Sequence, residues 1–105
     1  MELGMIGLGR MGSNLVRRLM RGGHNCVVYD IHPQAAENLA HEGALAATSL
    51  DEFARKLKQP RTIWMMVPAA AVDPTLKSLV PLLESGDVVI DGGNSYYHDD
   101  IRRSS

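Results

Sequence analysis

Four short runs, "ELGMIGL", "NCVVYD", "TIWMMV" and "DVVID", are apolar almost throughout, and a weaker one, "ALAAT", falls between the second and third of them. Strands of this composition cannot leave one face in water. They predict a parallel sheet covered on both sides, since crossover helices supply a cover for each face. The intervening stretches have the matching period. From Met11 to Arg21, Leu15, Val16, Leu19 and Met20 recur at helical spacing, with Arg17, Arg18 and Arg21 between them on a solvated face. "RGGH" stops this helix, with Gly22 and Gly23 suited to a left-handed cap. "HPQAAENLAHEG" predicts a second helix, with Pro33 in its first turn and Gly43 at the far cap. "SLDEFARKLKQ" predicts a third, opened by Ser49 with Glu52 three residues on and closed by Pro60. "AAVDPTLKSLVPLLES" predicts a fourth helical stretch that Pro74 and Pro81 interrupt or bend. Right-handed crossovers turn this alternation into an α/β, doubly wound parallel sheet of order 3-2-1-4-5. Its ligand crevice is expected at the carboxyl ends of the first and fourth strands, where the winding reverses.

A chain of 105 residues supports one core, so positions 1–105 read as a single domain, short for a two-domain enzyme. Only 5% of residues are aromatic, which makes that core aliphatic. The net charge of −1 offers no basic excess for nucleic acid or an anionic membrane. No run is long enough to span a bilayer, and no leader pattern opens the chain, so a cytoplasmic protein is expected. The single cysteine, Cys26, excludes an internal disulfide; within "CVVY" it reads as a buried, inert thiol. His24, His32, His41 and His98 lack metal-ligand spacing, and no metal site is expected. Trp64 and the methionines beside it read as core.

The stretch "GLGRMG" follows the first strand and opens the first helix. It matches G-x-G-x-x-G, a weak signal alone but a stronger one in this context. The three glycines then do different things. Gly7 allows the tight turn, Gly9 lets backbone approach a pyrophosphate, and Gly12 lets the helix pack close to the strand. Free N–H groups and the positive end of the helix dipole would receive the phosphate charge. Asp30, about 18 residues beyond Gly12 at the end of the second strand, completes the fingerprint. Its carboxylate can accept hydrogen bonds from both ribose hydroxyls of an adenosine; the plainer alternative is a cap on the next helix. Strand, glycine loop, helix, strand and acid together favour a dinucleotide-binding domain of the Rossmann type.

Asp30 also bears on which dinucleotide. A 2′-phosphate beside it would place like charges a few ångströms apart. That costs about 4 kcal/mol at an effective dielectric near 20, an upper bound for a solvated site. Half of that is more than tenfold in affinity. His32, if protonated, could soften the penalty, and Arg10 could reach the same region. The expectation is NAD in preference to NADP.

After the fifth strand comes "DGGNS", in which Gly92 and Gly93 permit a sharp turn and Asn94 and Ser95 offer an amide and a hydroxyl. The residues alone leave this open between a functional loop and a helix cap. "GLGRMGSNL", "TIWMMVPA" and, most specifically, "VVIDGGNSYY" resemble the amino-terminal part of 6-phosphogluconate dehydrogenase, along the whole chain. The related β-hydroxyacid dehydrogenases share the first motif but usually lack Asp-Gly-Gly-Asn-Ser. The resemblance implies that Gly7, Leu8, Gly9, Arg10, Met11 and Gly12 hold the pyrophosphate. It implies that Asp30, Ile31 and His32 hold the adenosine ribose, and that Val67, Pro68 and Ala69 lie along the cofactor. Asn94 would touch both cofactor and sugar phosphate substrate. Two departures stand out. Many members carry Asn-Arg where this chain has Asp30 and Ile31, and those use NADP; the loss of the Arg is similar to the NAD-preferring, shorter branch. Where "VKA" is frequent, this chain has "VPA", which removes a lysine.

By the same resemblance, the complete enzyme oxidises carbon 3 of 6-phosphogluconate and releases carbon dioxide to leave ribulose 5-phosphate. The family's catalytic Lys and Glu have no match here: Lys56, Lys58 and Lys77 fall on predicted helix surfaces at other positions. The expectation is therefore a cofactor domain without catalytic residues, whose helical substrate and dimerisation domain lies elsewhere; the complete protein is expected to be a homo-oligomer. Tyr96 and Tyr97 either line the substrate side or pack against that domain. Two rival functions remain: a β-hydroxyacid dehydrogenase, against which "DGGNS" argues, and a non-catalytic module that senses NAD.

Overall fold

The computed structural model describes residues 2–91. Five strands, β1 (Glu2–Ile6), β2 (Asn25–Tyr29), β3 (Leu45–Ala46), β4 (Thr62–Met65) and β5 (Val88–Asp91), form one parallel sheet in the order β3-β2-β1-β4-β5. This is the order expected from the alternation of apolar runs and helices. Helices α1 (Arg10–Arg21), α2 (Pro33–Ala40), α3 (Leu50–Lys56) and α4 (Ala69–Leu79) connect the strands.

The doubly apolar strands are explained by two separate cores. Met5, Cys26 and Val28 turn to one face, where Val16 of α1 and Leu39 of α2 cover them. Ile6, Val27, Ile63 and Met65 turn to the other, against Phe53 of α3 and Leu79 of α4. Adjacent residues of one strand thus serve opposite cores, as a period of two requires. Cys26 is among the buried residues, and burial pushes its thiol up from its ordinary value. Trp64 and Met66 pack against the first core and Met65 sits in the second.

Several local details depart from the expectations of the sequence. Helix α3 stops at Lys56, short of Pro60, so Lys58 lies beyond it and donates its N–H to the Glu2 carboxylate at 2.7 Å. Ser49 caps α3 by accepting the Glu52 N–H at 3.1 Å. The Glu52 carboxylate, however, turns back to the N–H and hydroxyl of Thr48 rather than to the N–H of Ser49. Pro74 does not interrupt α4, which runs through it with Val72 and Leu79 buried; Pro81 falls in a 3-10 turn over Val80–Leu82. Arg17 is only partly solvated, because its guanidinium makes a fork to both carboxylate oxygens of Glu42 at 2.9 and 3.0 Å.

At the amino-terminal ends of β4 and β5, Asp87 is fully buried and Arg61 nearly so. The Asp87 carboxylate accepts the Arg61 N–H at 2.6 Å, the Arg61 guanidinium at 2.7 Å and the Glu84 N–H at 2.9 Å. The Arg61 guanidinium also donates to the Ala54 carbonyl at 3.0 Å, tying the end of α3 to the sheet. This clamp lies at the end of the strands opposite to the glycine loop.

Candidate cofactor site

The register sets Ile6 beside Tyr29 on one side and Met65 on the other. Three chain reversals therefore leave the sheet at one level: residues 7–9 after β1, residues 30–32 after β2 and residues 66–68 after β4. Two backbone bonds hold them together, from Gly7 N–H to the Tyr29 carbonyl at 3.0 Å and from Met66 N–H to the Ile6 carbonyl at 2.7 Å. Between these reversals and α4 lies a cleft of about 770 Å³, within the range usual for cofactor sites.

Gly7, Leu8, Gly9, Arg10, Met11 and Gly12 all line this cleft. So do Asp30, Ile31 and His32 from the second reversal, and Val67 and Pro68 from the third. Ala69 opens α4 directly after Pro68. Asn94, with the rest of "GGNS" and the two tyrosines, lies outside the described residues. Met11 and Ile31 are large apolar side chains left 68% and 79% exposed, and both belong to the cleft.

The three glycines differ in what excludes a side chain. Gly7 has φ +95°, and a Cβ there would lie 2.5 Å from the Met66 carbonyl oxygen. A Cβ on Gly12 would strike the Gly7 carbonyl, so the close approach is of helix α1 to the loop itself. At Gly9 no protein atom lies within 4 Å of a Cβ position, and φ is −68°. Neither steric crowding nor backbone strain demands a glycine there; the space it leaves open belongs to the cleft.

The start of α1 is chemically open as well. Its helical ladder begins with Ser13 N–H on the Gly9 carbonyl at 2.9 Å, and no side chain among the described residues caps it. The N–H groups of Arg10, Met11 and Gly12 thus have no acceptor inside the helix, and no acidic side chain occupies the first turn. A bound anion there would gain these donors and the helix dipole. The loop leading to them is rigidly tied: Leu8 is 6% exposed, and its carbonyl accepts the Ser13 hydroxyl at 2.9 Å.

Asp30 makes contacts that neither role suggested by the sequence includes. Its Oδ2 accepts the Leu8 N–H at 2.6 Å and its Oδ1 the His32 N–H at 2.8 Å. It does not cap α2 with its side chain; the bond to His32 is a turn two residues long. A carboxylate has about four acceptor positions, so both oxygens retain a lone pair for a further donor.

The far wall of the cleft is not anticipated by the sequence motifs. Ala71, Pro74, Thr75 and Ser78 of α4 line it, with Leu50 at the start of α3 and Tyr29 at the end of β2. Ala71, Pro74, Thr75 and Ser78 have the spacing of one helix face, with small residues and two hydroxyls where the buried Val72 and Leu79 are larger and apolar. That stripe is a readable signal in the sequence, masked by the two prolines that break its apparent helix.

The sequence profile described as the NAD binding domain of 6-phosphogluconate dehydrogenase matches residues 2–105. The chain is 45% identical over 105 residues to the NAD(+)-dependent, decarboxylating 6-phosphogluconate dehydrogenase of Haloferax volcanii, covering 99% of this chain and 35% of that protein. The solved structure of the Plasmodium falciparum 6-phosphogluconate dehydrogenase, described with its cofactor NADP+ and its substrate, is similar with TM-score 0.82 and 28% identity. That likeness covers 92% of this chain and 22% of that one. The 3-hydroxyisobutyrate dehydrogenase of Salmonella typhimurium is similar too, with TM-score 0.73 and 35% identity over 85% of this chain and 31% of that one. The chain thus spans about a third or less of each protein. A five-stranded doubly wound sheet, with an open helix start and an acid at the next reversal, accords with the profile match over nearly every residue: the chain belongs to the family of NAD-binding domains of 6-phosphogluconate dehydrogenase.

Proposed function

We propose that this chain is the cofactor-binding part of a decarboxylating 6-phosphogluconate dehydrogenase and that it prefers NAD to NADP. The observation that carries the reading is the empty Cβ position of Gly9 above the unpaired N–H groups that start α1. A pyrophosphate fits this cradle, Gly9 through Gly12, by charge and by room. The adenosine ribose then falls at Asp30, with Ile31 and His32 beside it, and the adenine between that turn and the small face of α4. Val67, Pro68 and Ala69 border the path from the pyrophosphate toward the nicotinamide, and Asn94 completes the substrate side. A dinucleotide held there would supply the acceptor for the hydride that leaves carbon 3 of the sugar acid. This chain's residues bind and orient it; the family's Lys and Glu that move protons have no match among these 105 residues, and the complete enzyme is read as a homo-oligomer. The chain alone therefore binds cofactor without turnover, in a cytoplasmic enzyme.

The preference for NAD rests on charge. Asp30 lies where a 2′-phosphate would approach, and the exposed residue after it is Ile31, an apolar side chain with no cation to offer. Calorimetric titration of the chain with NAD and with NADP, at two salt concentrations, tests both parts. Tighter binding of NAD by roughly tenfold or more is expected, with the gap shrinking as salt screens the carboxylate. A folded chain that binds neither would overturn the dinucleotide reading; one that binds NADP as tightly would overturn the preference.

A further inference from the structure

Asp30 lies 22 residues from Leu8 in sequence, yet its Oδ2 holds the Leu8 N–H at 2.6 Å. The other oxygen holds the N–H of His32. One carboxylate thus joins the reversal after β1 to the reversal after β2. The Leu8 side chain is buried, so the bond to its N–H fixes the Gly7–Leu8 peptide, just ahead of the open segment. With that peptide turned toward Asp30, the open N–H groups of Arg10, Met11 and Gly12 follow on residues that line the cleft.

We propose that Asp30 is a positioning residue for the pyrophosphate cradle: its carboxylate sets the glycine loop in the anion-receiving shape before any cofactor arrives, in addition to meeting the ribose. This rests on the dinucleotide reading above. It has a consequence that a purely ribose-binding acid would not have. Asparagine at position 30 removes the charge that repels a 2′-phosphate, but its Nδ2 must face either the Leu8 or the His32 N–H, donor against donor. Loss of the acid therefore loosens the loop for every phosphate ligand, and replacing Asp30 alone is not a route to a good NADP site.

Inorganic pyrophosphate is the probe that separates the two roles, because it has no ribose. Electrostatics alone predicts that Asp30→Asn tightens pyrophosphate binding, since a nearby negative charge is gone. The positioning role predicts the opposite sign, a weakening of roughly tenfold, the scale of one charge-assisted hydrogen bond. Chemical-shift titration of the Arg10, Met11 and Gly12 amides reads the affinity. A second measurement needs no variant: in the unaltered chain the Leu8 amide should exchange with solvent at least about tenfold more slowly than the Met11 amide. Leu8 exchanging as fast as Met11 overturns the proposal. So does pyrophosphate binding that is absent from the unaltered chain, or unchanged or tighter in Asp30→Asn. Failure of the dinucleotide reading shows separately, as pyrophosphate binding without NAD binding in the unaltered chain.

Discussion

Gly9→Ala separates cofactor recognition from folding, because the two effects fall on different states. In the folded chain a methyl at position 9 meets no protein atom within 4 Å, and the φ of −68° suits alanine. Restricting the unfolded chain stabilises by about 0.4–1 kcal/mol. Against this, alanine is a poorer residue than glycine at a helix N-cap, which costs several tenths of a kcal/mol or more. The two nearly cancel, to within about 0.5 kcal/mol, so a domain of this size should shift its Tm by less than about 4 °C. On the proposed binding mode the methyl would occupy the space through which a phosphate reaches the Arg10 and Met11 N–H groups. Losing one charge-assisted hydrogen bond costs about 1.5–3 kcal/mol, or roughly 10- to 100-fold in affinity. Thermal denaturation and calorimetric titration with NAD, run on the same preparation, measure both quantities. A variant that loses stability but still binds NAD normally would refute the argument, since Gly9 would then be a folding glycine.

Gly12→Ala should behave in the reverse way: its Cβ strikes the Gly7 carbonyl, and overpacking of this kind destabilises by about 1–3 kcal/mol, measurable as a lower urea midpoint. Asp87→Asn leaves the nearly buried Arg61 guanidinium without its carboxylate and sets an amide against the Arg61 or Glu84 N–H. Breaking a buried pair from one side costs about 3–5 kcal/mol, so urea denaturation should show a large fraction of the domain's stability gone. Asp87 also sets an acid limit. Burial alone would raise its carboxyl, but the N–H groups of Arg61 and Glu84 and the Arg61 charge outweigh it and hold it below its ordinary 3.8. The unfolded chain therefore takes up that proton first as pH falls; the contribution is complete above the unfolded value and is lost as pH drops through the folded one. Stability measured against pH should lose this acid limb in Asp87→Asn, and an unchanged limb would show that other carboxylates carry it.

Periodicity and local chemistry carried much of the architecture. A strand apolar on both faces needs cover on both, and that requirement, with the alternation of strands and helices and right-handed crossovers, led from "NCVVYD" and "TIWMMV" to a doubly wound sheet and its strand order. The weak run "ALAAT" became a strand of two residues; Pro33 opens α2 and Ser49 caps α3, where the local sequence put them. Most of the residues expected at the cofactor, from Gly7 to Gly12 and from Asp30 to His32, meet in one cleft because they all follow strand ends.

What stayed hidden depends on register between distant segments. Nothing local marks Gly4 as the residue that makes room for Phe53, whose Cζ would lie 2.6 Å from a Cβ there. The clamp between Arg61 and Asp87 joins residues 26 apart, and the turn of α4 that brings Thr75 and Ser78 to the cleft depends on which face Val72 and Leu79 bury. The sequence by itself determined the order of elements, the covered sheet and an acid at the second strand's end, since each follows from a period or a neighbour. Only the tertiary structure decided that this acid grips the Leu8 N–H. A carboxylate takes its partners from whatever donors the packed sheet brings within about 3 Å, and that distance is set by β1 lying beside β2.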